Sequence, residues 1–574
     1  MGLATALAAL VVSLAAPGSA RACGGFFCNR PPPDGTLPIA QAAENVLFVM
    51  DTDPTTGAKR VEAHVQILYT GPASQFSWIV PVTAVPTVDV GWDILFDRIE
   101  PPTRPSFQVS YQIEGSCSDL GAPGCGEVDA KSTGGNGGGP GGGSAGAPSV
   151  EIVARGSVGP FDYVVVRSED GATLRTWLDG NGYFVSDDAA RIVDEYVAGG
   201  FSFVAVKLQA GQDTSAIRPI VLRMTSPEAC LPLKLTAIAT TPDLRINVWV
   251  LADARAVPIN YTEVGINLAK LDWFGFGKNY DQLIKEAANE AHGNAFAVEY
   301  ARGGRAGVPW FTVSTQGRAT LASAADPAVA MSALNLMGLQ PTGAVLLVLR
   351  KHIPLPAELA MRGISEAIFY TNLSNFWSNS RSAFAPFDAA AFAADLEASV
   401  LAPMDTLRPT FERVPYLTRL ATFISAEEMT RDPLFVPNPS LPELAPAHMA
   451  IAHLMCGDED YASCSAPVRL ELEDGRDVLF ASAGACGAFD RGQLDQMPSS
   501  DVGFTRDADG EGTLELDNRE EIKKAVSRQN AAVSASMNGC GCALRGRGRG
   551  RTMFGFVALG LLALSFRRRS SRRR

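Results

Sequence analysis

From residue 43 to about 113, short apolar runs separated by turn residues give a β-rich pattern, and over 61–69 apolar and polar residues alternate with the period of two of a half-buried strand. Residues 45–50 predict one strand and 61–69 a second. In the second, Val61, Ala63, Val65, Ile67 and Tyr69 share a face, Glu62, His64 and Gln66 share the other, and Leu68 breaks the alternation. Asp53, Pro54 and Gly57 between them supply turn chemistry, so the pair predicts an antiparallel hairpin. Residues 76–82 and 107–113 predict further strands. Residues 134–148 are almost all Gly, Ser, Ala and Pro, too poor in apolar surface to pack a core, and predict a tether or surface loop.

Beyond that segment the period changes. Residues 150–153, 162–167, 201–208, 217–224, 233–240 and 245–251 predict strands, with helices at 172–181 and 188–198 ending on Gly182 and Gly199-Gly200. Leu283, Ile284, Ala287, Ala291 and Ala295 lie at helical spacing, which predicts a helix over 280–296. Residues 319–340 and 356–366 read as helices around a strand at 344–350. An Ala-rich helix over 388–401 starts on Asp388 and stops before Pro403. Strands follow at 468–472 and 477–482, then a β-turn between 502–505 and 513–516. The polar stretch 517–536 predicts a helical stalk. The expected class is α+β: a β-rich antiparallel N-terminal part, a mixed α/β middle, and a helical, Pro-rich C-terminal part.

Two apolar runs bracket this body. Leu3 to Ala16 followed by Ala20-Arg21-Ala22 has the shape of a secretory signal peptide cut between Ala22 and Cys23. No Lys or Arg precedes the run, which places the true start codon in question. Ala20 stands where a lipobox has Leu, which disfavours lipidation at Cys23. Met553 to Phe566 is a charge-free run followed by Arg567–Arg569 and Arg572–Arg574. As a helix it would reach about 21 Å against a hydrocarbon core of about 30 Å. A short transmembrane anchor and a processing signal both fit, and the processing signal is preferred.

Charge sharpens this. The chain carries a formal −12, but the leader to Ala22 and the tail after Cys542 hold eleven of its 49 basic residues and none of its 61 acids, so the body is −23. That balance argues against a nucleic-acid partner. Ten cysteines suit an oxidising compartment. Setting aside Cys540 and Cys542, the disulfide candidates are Cys23, Cys28, Cys117, Cys125, Cys230, Cys456, Cys464 and Cys486. Short closures favour Cys23–Cys28, Cys117–Cys125 and Cys456–Cys464, leaving Cys230 with Cys486.

The resulting layout is a leader at 1–22, a β-rich start at 23–114, a Cys/Gly-rich insertion or linker at 115–148 and a mixed α/β continuation at 149–300. A helix-rich part at 301–455, a disulfide-containing β region with the stalk at 456–538, and a tail at 539–574 complete it.

The tail Asn538-Gly539-Cys540-Gly541-Cys542, with its apolar run and arginine end, resembles the C-terminal sorting tail of myxobacterial surface proteins. That resemblance implies cleavage by a membrane-embedded sorting protease near the cysteines, and lipidation of Cys540 or Cys542. The body resembles an exported bacterial family known as domain of unknown function 2330. Ala22-Cys-Gly-Gly-Phe-Phe-Cys28, Ala63-His-Val-Gln-Ile-Leu-Tyr-Thr-Gly71, Phe76-Ser-Trp-Ile-Val-Pro-Val82 and Asn181-Gly-Tyr183 carry the likeness. Tyr416-Leu-Thr-Arg-Leu420 and Ala426-Glu-Glu-Met-Thr-Arg-Asp-Pro433 resemble its later part, so the likeness runs over roughly 22–455. It implies export and brings no catalytic residues.

Candidate chemistry is sparse. His64, His292, His352, His448 and His453 form no His-Glu-x-x-His motif. His448, His453 and Cys456 are spaced poorly for a metal and read as structural. His292 beside Glu286, Glu290 and Glu299 reads as a solvated helix face, and His64 as a surface residue on its strand. Asp507, Asp509 and Glu511 hint at calcium, but Asn518 stands where an EF-hand needs Glu, and a β-turn explains them. Phe76, Trp78, Trp92 and Phe96 read as core packing rather than a groove. No cofactor is expected. The leading expectation is an exported cell-envelope protein, on the outer surface, that binds, adheres or serves structurally. Its partners would be signal peptidase and the export machinery, the sorting protease, and the membrane through the tail. The alternative is an envelope hydrolase with a site around His64 or His292.

Overall fold

The computed structural model describes residues 40–70, 77–115, 150–183, 185, 187–210, 217–238, 240–456, 466–481 and 491–538. Ala22, Cys23, Cys28, Cys117, Cys125, Cys464, Cys486, Cys540 and Cys542 lie outside them, as do the leader, the Gly-rich stretch and the apolar run at 553–566. Among the described residues no helix is long and apolar enough to cross a membrane.

The predicted hairpin is present as strands Ala40–Thr52 and Lys59–Thr70, paired antiparallel around the Asp53 turn, whose carboxylate accepts from the Thr55 and Thr56 amides. It lies inside a ten-stranded sheet, with two strands on one side and six on the other. On one side of it come Ile220–Thr225 and then Thr87–Val90 at the edge. On the other side the order is Thr240–Ala252, Tyr416–Ile424, Ala295–Arg302, Thr262–Ile266, Ser500–Thr505 and Thr513–Asp517. Two of its pairings are parallel, Ala40–Thr52 with Thr240–Ala252 and Thr262–Ile266 with Ala295–Arg302. The class is α+β, with a strand-rich N-terminal part.

Alternation sorts the side chains. Val46, Phe48 and Met50 face a four-stranded sheet, Ser77–Val82, Ser202–Leu208, Phe161–Arg167 and Glu151–Val158, whose Trp78, Val80, Val165 and Val204 meet them in one core. The outer face of that second sheet is covered by helices Gly171–Gly180 and Asp187–Ala198 through Leu174, Leu178, Val193 and Tyr196. Leu47 and Val49 face the opposite way, onto helices Ile94–Thr103, Pro327–Leu336, Gly343–His352, Ala389–Leu396 and Ala402–Arg413. A second four-stranded sheet, Asp477–Phe480, Val468–Glu471, Ala447–Cys456 and Ser106–Gly115, closes a separate core with helix Arg519–Asn538. That helix, read as a stalk, buries Ile522, Ala525 and Val526.

Several predicted elements differ. The apolar run 344–350, predicted as a strand, lies in helix Gly343–His352, because the Ala344 amide donates to Asp97 Oδ2 at 2.8 Å and seats a helix start there. Residues 233–240 make a short helix, Leu233–Thr236, before the strand that begins at Thr240. The helix predicted over 280–296 stops at Glu290, because His292 and Gly293 both take positive φ and turn the chain into the strand Ala295–Arg302. Asp388 caps its helix through the Ala391 amide, but Pro403 does not end it. The chain passes through a π-turn, Glu397–Leu401, into Ala402–Arg413, with Pro403 in the first turn where its missing N–H leaves no bond unmade.

Candidate functional site

The two stacked sheets leave a cavity of about 40 Å³ between them, room for water-sized groups. Phe48, Val61, Trp78, Val80 and Met224 give it apolar walls, and Glu44 and Cys230 give it chemistry. Glu44 sits there because strand parity puts it in line with Val46, Phe48 and Met50 on the core face. It is 1% exposed. Gln41 Nε2 donates to its Oε2 at 2.8 Å, while Gln41 Oε1 is buried with no partner among the described residues. Burial pushes the Glu44 carboxyl up to about 7, against the Gln41 bond. Such a group is poised to donate or accept a proton near neutrality.

Cys230 reaches the cavity from the strand pair Ala229–Cys230 with Leu434–Asn438. It is a free thiol, not the partner of Cys486 expected from the sequence. Burial, with Asp432 and Glu228 nearby, pushes that thiol up to about 12, so it stays protonated and is a poor nucleophile. Asp432 itself accepts from Tyr196 Oη at 2.6 Å and from the Lys234 amide at 2.9 Å, which ties the second sheet's helices to this wall. With its thiol protonated, the cavity keeps Glu44 as its one group able to gain or lose a proton near neutrality.

On the opposite face a row of polar side chains crosses five neighbouring strands. Gln66 Nε2 donates to Asp93 at 2.7 Å, Asn45 donates to Gln66 at 2.9 Å, and Asn247 donates to Asn45 at 2.9 Å. Arg419 reaches Asn247 Oδ1 at 3.3 Å and the Glu100 carbonyl at 3.0 Å, lies 5.0 Å over the Trp249 ring, and pairs with Glu299 at 2.6 Å. Burial raises the Glu299 carboxyl and lowers the Arg419 guanidinium, and each partner's charge opposes the other's shift. The row links five strands through buried polar side chains and ends on the Glu299–Arg419 ion pair, so it organises the sheet.

The sequence model of an uncharacterised protein family conserved in bacteria (DUF2330) matches residues 22–348. The chain belongs to this family. No curated protein and no solved structure matches it. The DUF2330 match ends before the segments at 416–420 and 426–433 that resemble the family's later part. Even so, the strand Tyr416–Ile424 pairs directly with Thr240–Ala252 and Ala295–Arg302 inside the matched span.

Within the DUF2330 span the structure separates the candidates that the sequence placed together. His64 is 3% exposed, not a surface residue: its Nε2 meets Glu62 Oε1 at 2.7 Å under the loop at Gly91. His292 is exposed, past the end of its helix at φ 59°. Glu286 takes Lys270 at 2.8 Å and the Ser499 hydroxyl at 2.5 Å, Glu290 accepts the Ser499 and Ser500 amides, and Glu299 belongs to the buried row. Trp78 lines the cavity, whereas Phe96 packs 5.8 Å from Trp249 on the other side of the sheet.

Beyond the span, His352 meets Asp395 at 2.7 Å and His448 meets Glu473 at 2.8 Å. His453 lies between Glu471 at 3.0 Å and Glu114 at 2.9 Å. His448 and His453 sit at odd separation on one strand and so point to opposite faces. Cys456 is disulfide-bonded, to a residue outside the described ones. Asp507, Asp509 and Glu511 stand at the exposed turn between Ser500–Thr505 and Thr513–Asp517. Among the described residues no group of three or more His, Cys, Asp or Glu is placed to hold a metal ion. Glu44 is the site residue that sequence reasoning missed, although its parity with Val46, Phe48 and Met50 was a readable signal.

Proposed function

We propose that this DUF2330 protein is exported to the cell envelope, held at the outer surface through its C-terminal tail, and acts by binding rather than catalysis. The observation that carries the binding reading is the dispersal of its histidines. His64 is buried against Glu62, and His292 is exposed on a loop after another helix. His352, His448 and His453 each meet carboxylates of their own. The thiol in the cavity between the two sheets is held protonated, and we read Glu44 there as a recognition group. Export rests on the leader ending at Ala22-Cys23, and surface attachment on Cys540, Cys542 and the apolar run at 553–566. Signal peptidase, the export machinery and a membrane-embedded sorting protease are the partners this requires.

Mass spectrometry of the mature protein and fractionation of cells test the reading. The expected mature chain starts at Cys23 and lacks everything after Cys542, or carries a lipid on Cys540 or Cys542. A mature C-terminus that retains Phe566 would overturn processing. Unchanged surface localisation of a Cys540→Ala/Cys542→Ala variant would overturn any role for the two thiols.

A further inference from the structure

A second hollow opens at the end of the central hairpin, a groove of about 560 Å³ and so within the size of small-molecule sites, about 300–1,000 Å³. Three guanidiniums converge on it from three elements: Arg60 on Lys59–Thr70, Arg223 on Ile220–Thr225, and Arg413 at the end of helix Ala402–Arg413. Val49, Val61, Val85 and Met224 supply apolar surface beside them.

The acids of the groove lie deeper than its arginines. Asp51 and Glu62 have side chains 16% and 25% exposed, whereas those of Arg60, Arg223 and Arg413 are 41%, 44% and 47% exposed. Asp51 takes both Arg60, at 2.9 Å, and Arg413. Glu62 takes Arg223 at 2.8 Å and His64 at 2.7 Å. Burial works to raise the Glu62 carboxyl, but His64 and Arg223 outweigh it and hold it at about 2, so it remains an anion at every physiological pH. Asp53 and Asp89 take the next arms of Arg60 and Arg223, at 2.9 and 3.1 Å.

These carboxylates use Nε and Nη1 of Arg60 and Arg223 and fix both planes. The Nη2 donors of both, and all of Arg413 beyond the Nη1 that meets Asp51, make no bond among the described residues. A guanidinium whose plane is fixed by two carboxylates, with Nη2 left over, is preorganised to give that donor to an oxyanion. It also costs less entropy on binding than a free arginine. Asp51, Asp53, Glu62 and Asp89 balance the three arginines, so the opening offers oriented N–H donors rather than net positive charge.

We propose that this groove is a binding site for an oxyanion, a carboxylate or phosphate, carried on a small apolar body. The guanidinium arms take the oxygens, and the valines and Met224 take the apolar part. The groove shares Val61 and Met224 with the Glu44 cavity, but its charged groups are its own, and it does not depend on the chain's being exported.

The test uses the full chain with sodium octanoate and inorganic phosphate as probes. Octanoate is expected to protect Arg60, Arg223 and Arg413 from phenylglyoxal, read by peptide mass spectrometry on the wild type, where no variant can misfold. In calorimetry an Arg223→Gln/Arg413→Gln variant is expected to bind octanoate about tenfold more weakly or worse, the worth of one lost charge-assisted bond. A Glu44→Gln variant should bind it unchanged. Tighter binding of octanoate than phosphate identifies a carboxylate on an apolar body, and comparable protection by phosphate identifies a phosphate group; either supports the site. Unprotected arginines at saturating concentrations of both probes would overturn it. So would loss of binding in Glu44→Gln with binding intact in the arginine variant.

Discussion

Glu299 and Arg419 meet across neighbouring strands, Oε2 to Nε at 2.6 Å, and neither side chain is exposed at all. A bulge produces the contact. The ladder pairs Val298 with Leu420 and Tyr300 with Arg419, so Glu299 is the extra residue and is turned onto the face where the guanidinium lies. Two charges taken out of water cost several kcal/mol each, and the pair returns this only while both members are present.

The first prediction follows from that asymmetry. Arg419→Met leaves the Glu299 carboxylate buried without its cation and is expected to cost about 3–5 kcal/mol in urea unfolding. Glu299→Gln with Arg419→Met should cost clearly less than the sum of the two single changes, a coupling read from the double-mutant cycle. Single substitutions that each cost under about 1 kcal/mol would show that the pair holds nothing together.

Glu44 gives the second prediction, in pH. Its folded pKa, about 7, lies above the ordinary 4.5, so the folded state binds the proton more tightly than the unfolded chain does. Stability contributed by protonated Glu44 is complete below about 4.5 and is lost as pH rises toward 7. The loss is on the order of 3 kcal/mol. Glu44→Gln should flatten the profile between those limits and raise the urea midpoint at pH 8. The same slope in both proteins would place the titration elsewhere.

Sequence pattern carried most of the strand framework, because a strand with one buried face writes that face into every second residue. The strand Lys59–Thr70 was legible for this reason, whereas Ser202–Leu208, buried on both faces, was legible as a short apolar run after Gly199-Gly200. Ala344 to Arg350 was not, since a short unbroken apolar run suits a buried strand and a buried helix equally, and Asp97, far away in the chain, decides it. The helix end at Glu290 had a local signal in Gly293, but His292 was drawn into a false acidic cluster. The Glu299–Arg419 pair had no local signal, because isolated charged residues belong by default on the surface. For the same reason the arginine groove is invisible in one dimension: Arg60, Arg223 and Arg413 come together only when the sheet forms.

Gly343 supplies the third prediction. It has φ 49°, and a Cβ there would stand 1.9 Å from Asp97 Oδ2. Gly343→Ala therefore adds a left-handed backbone penalty of about 1–2 kcal/mol to a clash with the half-buried Asp97 carboxylate. Thermal unfolding should report more than that penalty alone. Asp97→Ala removes the Ala344 cap, at about 1 kcal/mol, but also the obstruction. Adding Gly343→Ala to Asp97→Ala should then cost less than adding it to wild type. Equal costs in both backgrounds would mean that the carboxylate is not what excludes the methyl.

The fourth prediction concerns Cys230. With its thiol at about 12, the thiolate fraction at pH 8 is on the order of 10⁻⁴, some thousand times below that of an ordinary cysteine. Iodoacetamide should leave the Cys230 peptide of the native protein unmodified over hours and label it promptly in denaturant. The mass of that peptide without reductant should be that of a free thiol. Labelling of the native chain at the rate of a small-molecule thiol would mean that the cavity opens readily to water. A mass showing Cys230 joined to Cys486 would restore the bridge that short-loop reasoning leaves over, and would remove the thiol from the wall that Glu44 faces.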